Sequence, residues 1–105
     1  ALGRLRFRTS FAQNVLDHSV EVASLASNIA AELSLNVAAA NRAGLLHDIG
    51  KGLGAEYEGP HALTGMEFLR LHGEKEHILN AVGAHHFDIQ AESPEAQLVI
   101  IADTL

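Results

Sequence analysis

His47 and Asp48 stand side by side in Leu45-Leu46-His47-Asp48-Ile49-Gly50-Lys51, an imidazole next to a carboxylate where an apolar helical stretch runs into glycine. Other parts of the chain bring His18, His61, the pair His85-His86, and Asp103, each on what the spacing makes an inward face. Burying imidazoles and carboxylates without compensation costs several kcal/mol per ionised group, against a total domain stability of roughly 5 to 15 kcal/mol. Divalent cations resolve the difficulty, because neutral imidazole and carboxylate are ligands for Mn, Fe, Zn, Co or Ni, and one carboxylate can bridge two ions. Seven such ligands are too many for a single metal that keeps an open position, and suit two. The set outlines a two-metal hydrolase centre, since paired cations about 3.5 to 4 Å apart can clamp a phosphate and activate a water. A lone histidine in an apolar stripe, as His18 is, otherwise reads as a hydrogen-bonded core residue; convergence with the other ligands decides between the two.

Five helices have to position these side chains. The first is expected to begin at Ser10, a capping hydroxyl with Gln13 three residues on, and to bury Phe11, Val15, Val22, Leu25, Ile29 and Leu33 along with His18. After a break at Ser34 or Asn36, alanine-rich Val37 to His47 forms the second, ending just after Asp48 at the run Gly50, Gly52, Gly54. Lys51 then reaches the same cavity as a cation for a phosphate oxygen, or else only complements the helix dipole. Pro60 opens the third helix, to about His72, with His61 in its first turn and Leu63, Met66, Phe68, Leu69 and Leu71 as its apolar surface. The fourth runs from about Lys75 to His86, where His85 and His86 prolong the stripe of Ile78, Leu79 and Val82, leaving His77 and His72 at the surface. Ser93 and Pro94 open a last, buried helix carrying Asp103 one turn after Val99. No alternating strand stands out, so the expected fold is all-α.

At 105 residues the chain is expected to be one domain, and it has 48% hydrophobic and 19% charged residues, the balance of a globular protein. It has no cysteine, which excludes disulfides and thiolate metal sites. No apolar run reaches the length of a membrane span, so no membrane contact is expected from this segment. A net charge of −6 argues against a broadly basic nucleic-acid surface, although Arg4, Arg6 and Arg8 precede the first acid, Asp17. That basic entry reads as a solvated arm or as phosphate contact near the mouth of the site. The chain stops two residues after Asp103, in mid-helix by its pattern, and reads as a fragment of a longer protein.

His18, then His47-Asp48, then Asp103 resembles the H…HD…D signature of the HD-domain metal-dependent phosphohydrolases. The likeness is closer to the ribonuclease Y family of bacterial endoribonucleases. It is carried by Arg8-Thr9-Ser10, Gln13-Asn14-Val15-Leu16, His18-Ser19, Arg42 through Lys51, Glu58-Gly59, His61-Ala62, Ala84-His85-His86 and Ala102-Asp103. The resemblance implies an HD-domain helical bundle of about five helices with the metal site in its core. It further implies metal-dependent phosphodiester hydrolysis, cleaving single-stranded RNA in mRNA turnover, with two ions among Mn, Mg, Fe, Zn, Co and Ni. By that likeness His18, His47, Asp48 and Asp103 hold the first metal, and Asp48 as the bridge with His61, His85 and His86 holds the second. Lys51 then assists at a non-bridging oxygen, and Glu58 orients water or a histidine.

The second-metal assignment borrows from the similar HD-GYP phosphodiesterases, whose DGxGYP motif is replaced here by Phe87-Asp88-Ile89, which lowers a cyclic-dinucleotide role. The ribonuclease Y likeness also implies a cytoplasmic catalytic domain. Its parent would be anchored to the inner face of the membrane, with a coiled coil and an RNA-binding KH domain upstream, and a homodimer remains open. Two other readings stand beside it: an HD-type nucleotide or cyclic-nucleotide phosphohydrolase, and a non-catalytic metal-binding regulatory or dimerisation module.

Overall fold

A computed structural model describes residues 2–53 and 59–105, with side chains from residue 13 onward. Five α-helices follow one another: α1 (Leu2–Glu32), α2 (Val37–Leu46), α3 (His61–Leu71), α4 (Glu76–Ala84) and α5 (Pro94–Thr104). A 3-10 turn, Ile49–Gly52, follows α2, and no strand occurs among the described residues, so the all-α expectation holds. No described helix is long and apolar enough to cross a membrane.

The first helix starts well before Ser10, which lies inside it instead of capping it. The residues ahead of Ser10 are rich in leucine and arginine, good helix formers, and contain no proline to stop the turn. The buried face of α1 also differs from the expected one. Val22 is buried, but its neighbours in the core are Ala23, Ala26 and Ala30, while Leu25 and Leu33 remain 37% and 62% exposed. The reason lies across the interface, where α2 presents Ala39, Ala40, Ala43 and Gly44. Small residues on both sides let the two backbones approach until a Cβ placed on Gly44 would collide with the main chain of Ala23. Large side chains have no room there and turn outward.

The connections are held by specific bonds. Ser34 takes a left-handed φ of 58°, and the Leu35 N–H donates to the Ala30 carbonyl at 2.8 Å, which ends α1 in a Schellman-like turn. Asn36 then caps α2 by accepting from the Ala39 N–H at 3.0 Å. Pro60 is the cap residue of α3, one position earlier than expected. That helix buries Ala62, Gly65 and Leu69, whereas Leu71 is 79% exposed, because the helix ends before a partner reaches it. Ser93 caps α5 as expected, accepting from the Ala96 N–H at 3.1 Å. Asn80 fixes the approach to that cap, accepting from the N–H groups of Glu92 (2.7 Å) and Ser93 (2.9 Å).

Helix α1 packs on α2 and α5, α4 packs on α3 and α5, and the 3-10 turn lies on α3. The larger core cluster joins Val22, Ala26, Ala43, Ile78, Leu98 and Val99; a smaller one joins Leu69, Leu79 and Val82. At burial of about 25 cal/mol per Å2 the large aliphatics carry most of the driving force. The alanines instead set how closely the helices approach. Helix α5 is less enclosed than its composition suggests, with Ile101 48% exposed.

Candidate metal centre

His47 follows the last residue of α2 in helical backbone, so its side chain leaves the helix where no further turn covers it. Its Nδ1–H donates to the Gly44 carbonyl three residues back, at 2.6 Å. That bond leaves Nε2 as the ring's other edge. His85 repeats the device at the end of α4, Nδ1–H donating to the Val82 carbonyl at 2.6 Å. The two rings meet edge to face, with centroids 5.0 Å apart. Both are almost wholly shielded from water.

Asp48 lies between them, with Oδ2 3.3 Å from His47 Nε2 and Oδ1 3.1 Å from His85 Nε2. Lys51, on the 3-10 turn, brings its ammonium to 3.3 Å from Oδ2. Burial alone would push the Asp48 carboxyl up, but His47, His85 and the charge of Lys51 outweigh it and hold the group well below the usual carboxylate range. From the far side, α1 supplies His18 and α5 supplies Asp103, joined at 2.7 Å between Nε2 and Oδ1. His47 Nε2 is also 3.7 Å from Asp103 Oδ1, and His18 Nε2 is 3.9 Å from Asp48 Oδ2.

Among the described residues two groups of ligand-bearing atoms result, each within 4.8 Å: His18, His47 and Asp103; and Asp48, His85 and His86. Cations fit this donor set. His47 Nε2 is buried with no hydrogen-bond partner, although carboxylate oxygens face it. A neutral ring that has spent its proton on Gly44 turns a lone pair toward those oxygens, which is unfavourable unless a positive centre lies between. Either a second proton on the ring or a metal ion supplies one, and all the donors are nitrogen or oxygen.

The remaining expected residues are placed less centrally. His86 belongs to the second group, its ring 4.1 Å from that of His85 between centroids, but it is exposed instead of core-facing, because α4 ends at Ala84 and the chain turns away. His61 falls in neither group. It occupies the first turn of α3, where a side chain tilts back past the packed part of the helix, and it is exposed. Its carbonyl nevertheless packs on Gly50, in the turn that carries Lys51. His77 is partly buried, where the surface was expected. Glu58 and the side chains of Arg4, Arg6 and Arg8 lie outside the described residues. Sequence reasoning missed the carbonyls of Gly44 and Val82, whose only signal was a histidine three residues beyond each near a helix end. Two open clefts of about 450 and 470 Å3 lie elsewhere, one beside Arg42 and Lys75 and one beside Arg70 and Asn80.

An all-α domain with a buried His/Asp centre that could hold metal is the class that fold and site define together. Residues 15–105 match the family model described as HD domain, and the chain belongs to that family. It is 58% identical over 104 residues to ribonuclease Y of Opitutus terrae, and 56% and 55% identical to those of Thermosipho melanesiensis and Fusobacterium nucleatum. Each match covers 99% of this chain and 20% of the relative, so the chain spans about a fifth of the length of these curated relatives. No solved structure matches it.

Proposed function

We propose that this chain is the catalytic HD domain of a ribonuclease Y-like endoribonuclease, hydrolysing phosphodiester bonds of single-stranded RNA with two divalent cations. The observation that carries the reading is Asp48, a buried carboxylate whose two oxygens face two different histidines from two different helices, at 3.3 and 3.1 Å. The names of the relatives supply the substrate class. In this reading His18, His47, Asp48 and Asp103 would hold one cation, and Asp48 with His85, His86 and His61 would hold the other. Bound cations supply Lewis acidity toward the phosphate and a water acidic enough to be a nucleophile near neutral pH.

The chain's own groups do the rest. The carbonyls of Gly44 and Val82 hold the rings of His47 and His85 with their Nε2 edges aimed at Asp48. Lys51, partly exposed and already 3.3 Å from Asp48, has further N–H donors for a non-bridging phosphate oxygen and for the charge that grows there. In this reading the reaction takes place in the cytoplasm, with RNA as the partner.

The test is incubation of the Mn2+-loaded chain with end-labelled single-stranded RNA, with mononucleotides and with cyclic dinucleotides. Internal cuts in the RNA, absent with Asp48→Ala, are expected; Asp48→Ala should also lose bound metal by elemental analysis. Turnover of the small nucleotides alone would transfer the assignment to a nucleotide phosphohydrolase. Metal retained by Asp48→Ala would defeat its bridging role.

A further inference from the structure

Beyond the metal centre, the chain leaves α4 through His85, His86 and Phe87, and Phe87 adopts a left-handed φ of 65° with its residue 75% exposed. A helix that stops on such a residue normally uses glycine, because a Cβ is penalised there, and a bulky ring in this conformation is an outlier. The Phe87 N–H donates to the Ala84 carbonyl at 2.8 Å, which fixes the turn. The turn needs that backbone conformation but gains nothing from a phenyl ring held in water. Strain and exposure of this kind persist at positions where the side chain has a use. The rings also form a sequence from inside to outside. His85 is buried against Asp48, the His86 ring lies tilted against His85 with centroids 4.1 Å apart, and Phe87 follows in open solvent.

We propose that Phe87 is a stacking platform for the nucleobase adjoining the phosphodiester at the metal centre. The inference rests on the phosphodiesterase reading and adds how the strand is held. With a net charge of −6 the domain gains little from general attraction to phosphates, so a contact that does not depend on charge adds to the hold that Lys51 and the cations have on a single strand. Stacking on an aromatic face is such a contact, and it tolerates any base.

A uridine decamer carrying one 2-aminopurine provides a readout independent of turnover, since stacking quenches its fluorescence. Titrated with the 105-residue chain, in chelator and again with Mg2+, the parent and Phe87→Tyr should quench the probe. Phe87→Leu and Phe87→Gly should lose the quench and bind at least about fivefold more weakly, the lower end of one base–aromatic stack. In the Mn2+-loaded protein the same two variants should raise KM for the decamer and leave the bound Mn2+, by elemental analysis, unchanged. The melting temperature of Phe87→Gly should not fall, because glycine relieves the left-handed strain and removes no buried contact.

Unaltered quench and affinity in both variants would overturn the platform while leaving the hydrolase reading in place. Loss of bound Mn2+ in the two variants would also overturn it, by giving Phe87 a part in shaping the centre. A parent that binds the probe through Phe87 but does not hydrolyse the decamer would sink the hydrolase reading and keep the platform.

Discussion

Lys51 shows how much a single side chain can be asked to do. Its ammonium lies 3.3 Å from Asp48 Oδ2 in a turn anchored by the Lys51 N–H donating to the Asp48 carbonyl at 3.0 Å. If it stabilises charge on phosphate, Lys51→Ala should lower kcat about 10- to 100-fold, a loss of about 1.4 to 2.7 kcal/mol in the transition state, with bound metal unchanged. Loss of metal instead would make Lys51 a support for Asp48. At this scale the sequence was informative for His18, His47, Asp48, His85, His86 and Asp103, which the fold brings into the two candidate groups. It was less informative about enclosure. His61 and His86 were expected to face inward, but the first turn of α3 and the turn after α4 have no neighbouring turn to hold them there. The tautomers of His47 and His85 depend on main-chain carbonyls that no residue type announces.

The elements are positioned by what is missing from their side chains. Gly44 meets Ala23, and Gly50 meets the main chain at His61 and Gly65, so α1 with α2, and the 3-10 turn with α3, touch backbone to backbone. Gly44→Ala must therefore push α2 off α1, and we expect a cost of about 1 to 3 kcal/mol. Each kcal/mol should lower the melting temperature by about 4 to 8 °C in a domain of this size. Gly52→Ala is the control, since a Cβ there would meet nothing within 4 Å and the melting temperature should hold. An equal effect of the two changes would refute the close-contact account. The same feature explains why the helices were legible and their buried faces less so. Hydrophobic periodicity weights leucine over alanine, and thus favoured Leu25 and Leu33 over Ala23, Ala26 and Ala30. The break at Ser34 or Asn36 and the start at Ser93-Pro94 were legible because their chemistry is local.

For the whole molecule, α1, α2, α4 and α5 all contribute to one centre, so cations bound there tie distant parts of the chain together. Metal that binds only the folded form should stabilise it by about 2.7 kcal/mol at a hundredfold excess over Kd, and chelation should remove that increment from the melting temperature. The ligands must be deprotonated to bind, so the gap between loaded and chelated protein should narrow as pH falls from 7.5 to 5.5. A gap independent of pH would point to a site without the histidines. The longest element has a mechanical consequence. Helix α1 runs 31 residues, about 46 Å at 1.5 Å per residue, and the molecule's long axis measures 49 Å. His18 sits midway along this jointless rod, with Asp103 opposite it on α5. The His18–Asp103 contact thus bridges the middle of this rod and α5, so a shift of one helix against the other changes the spacing across the centre.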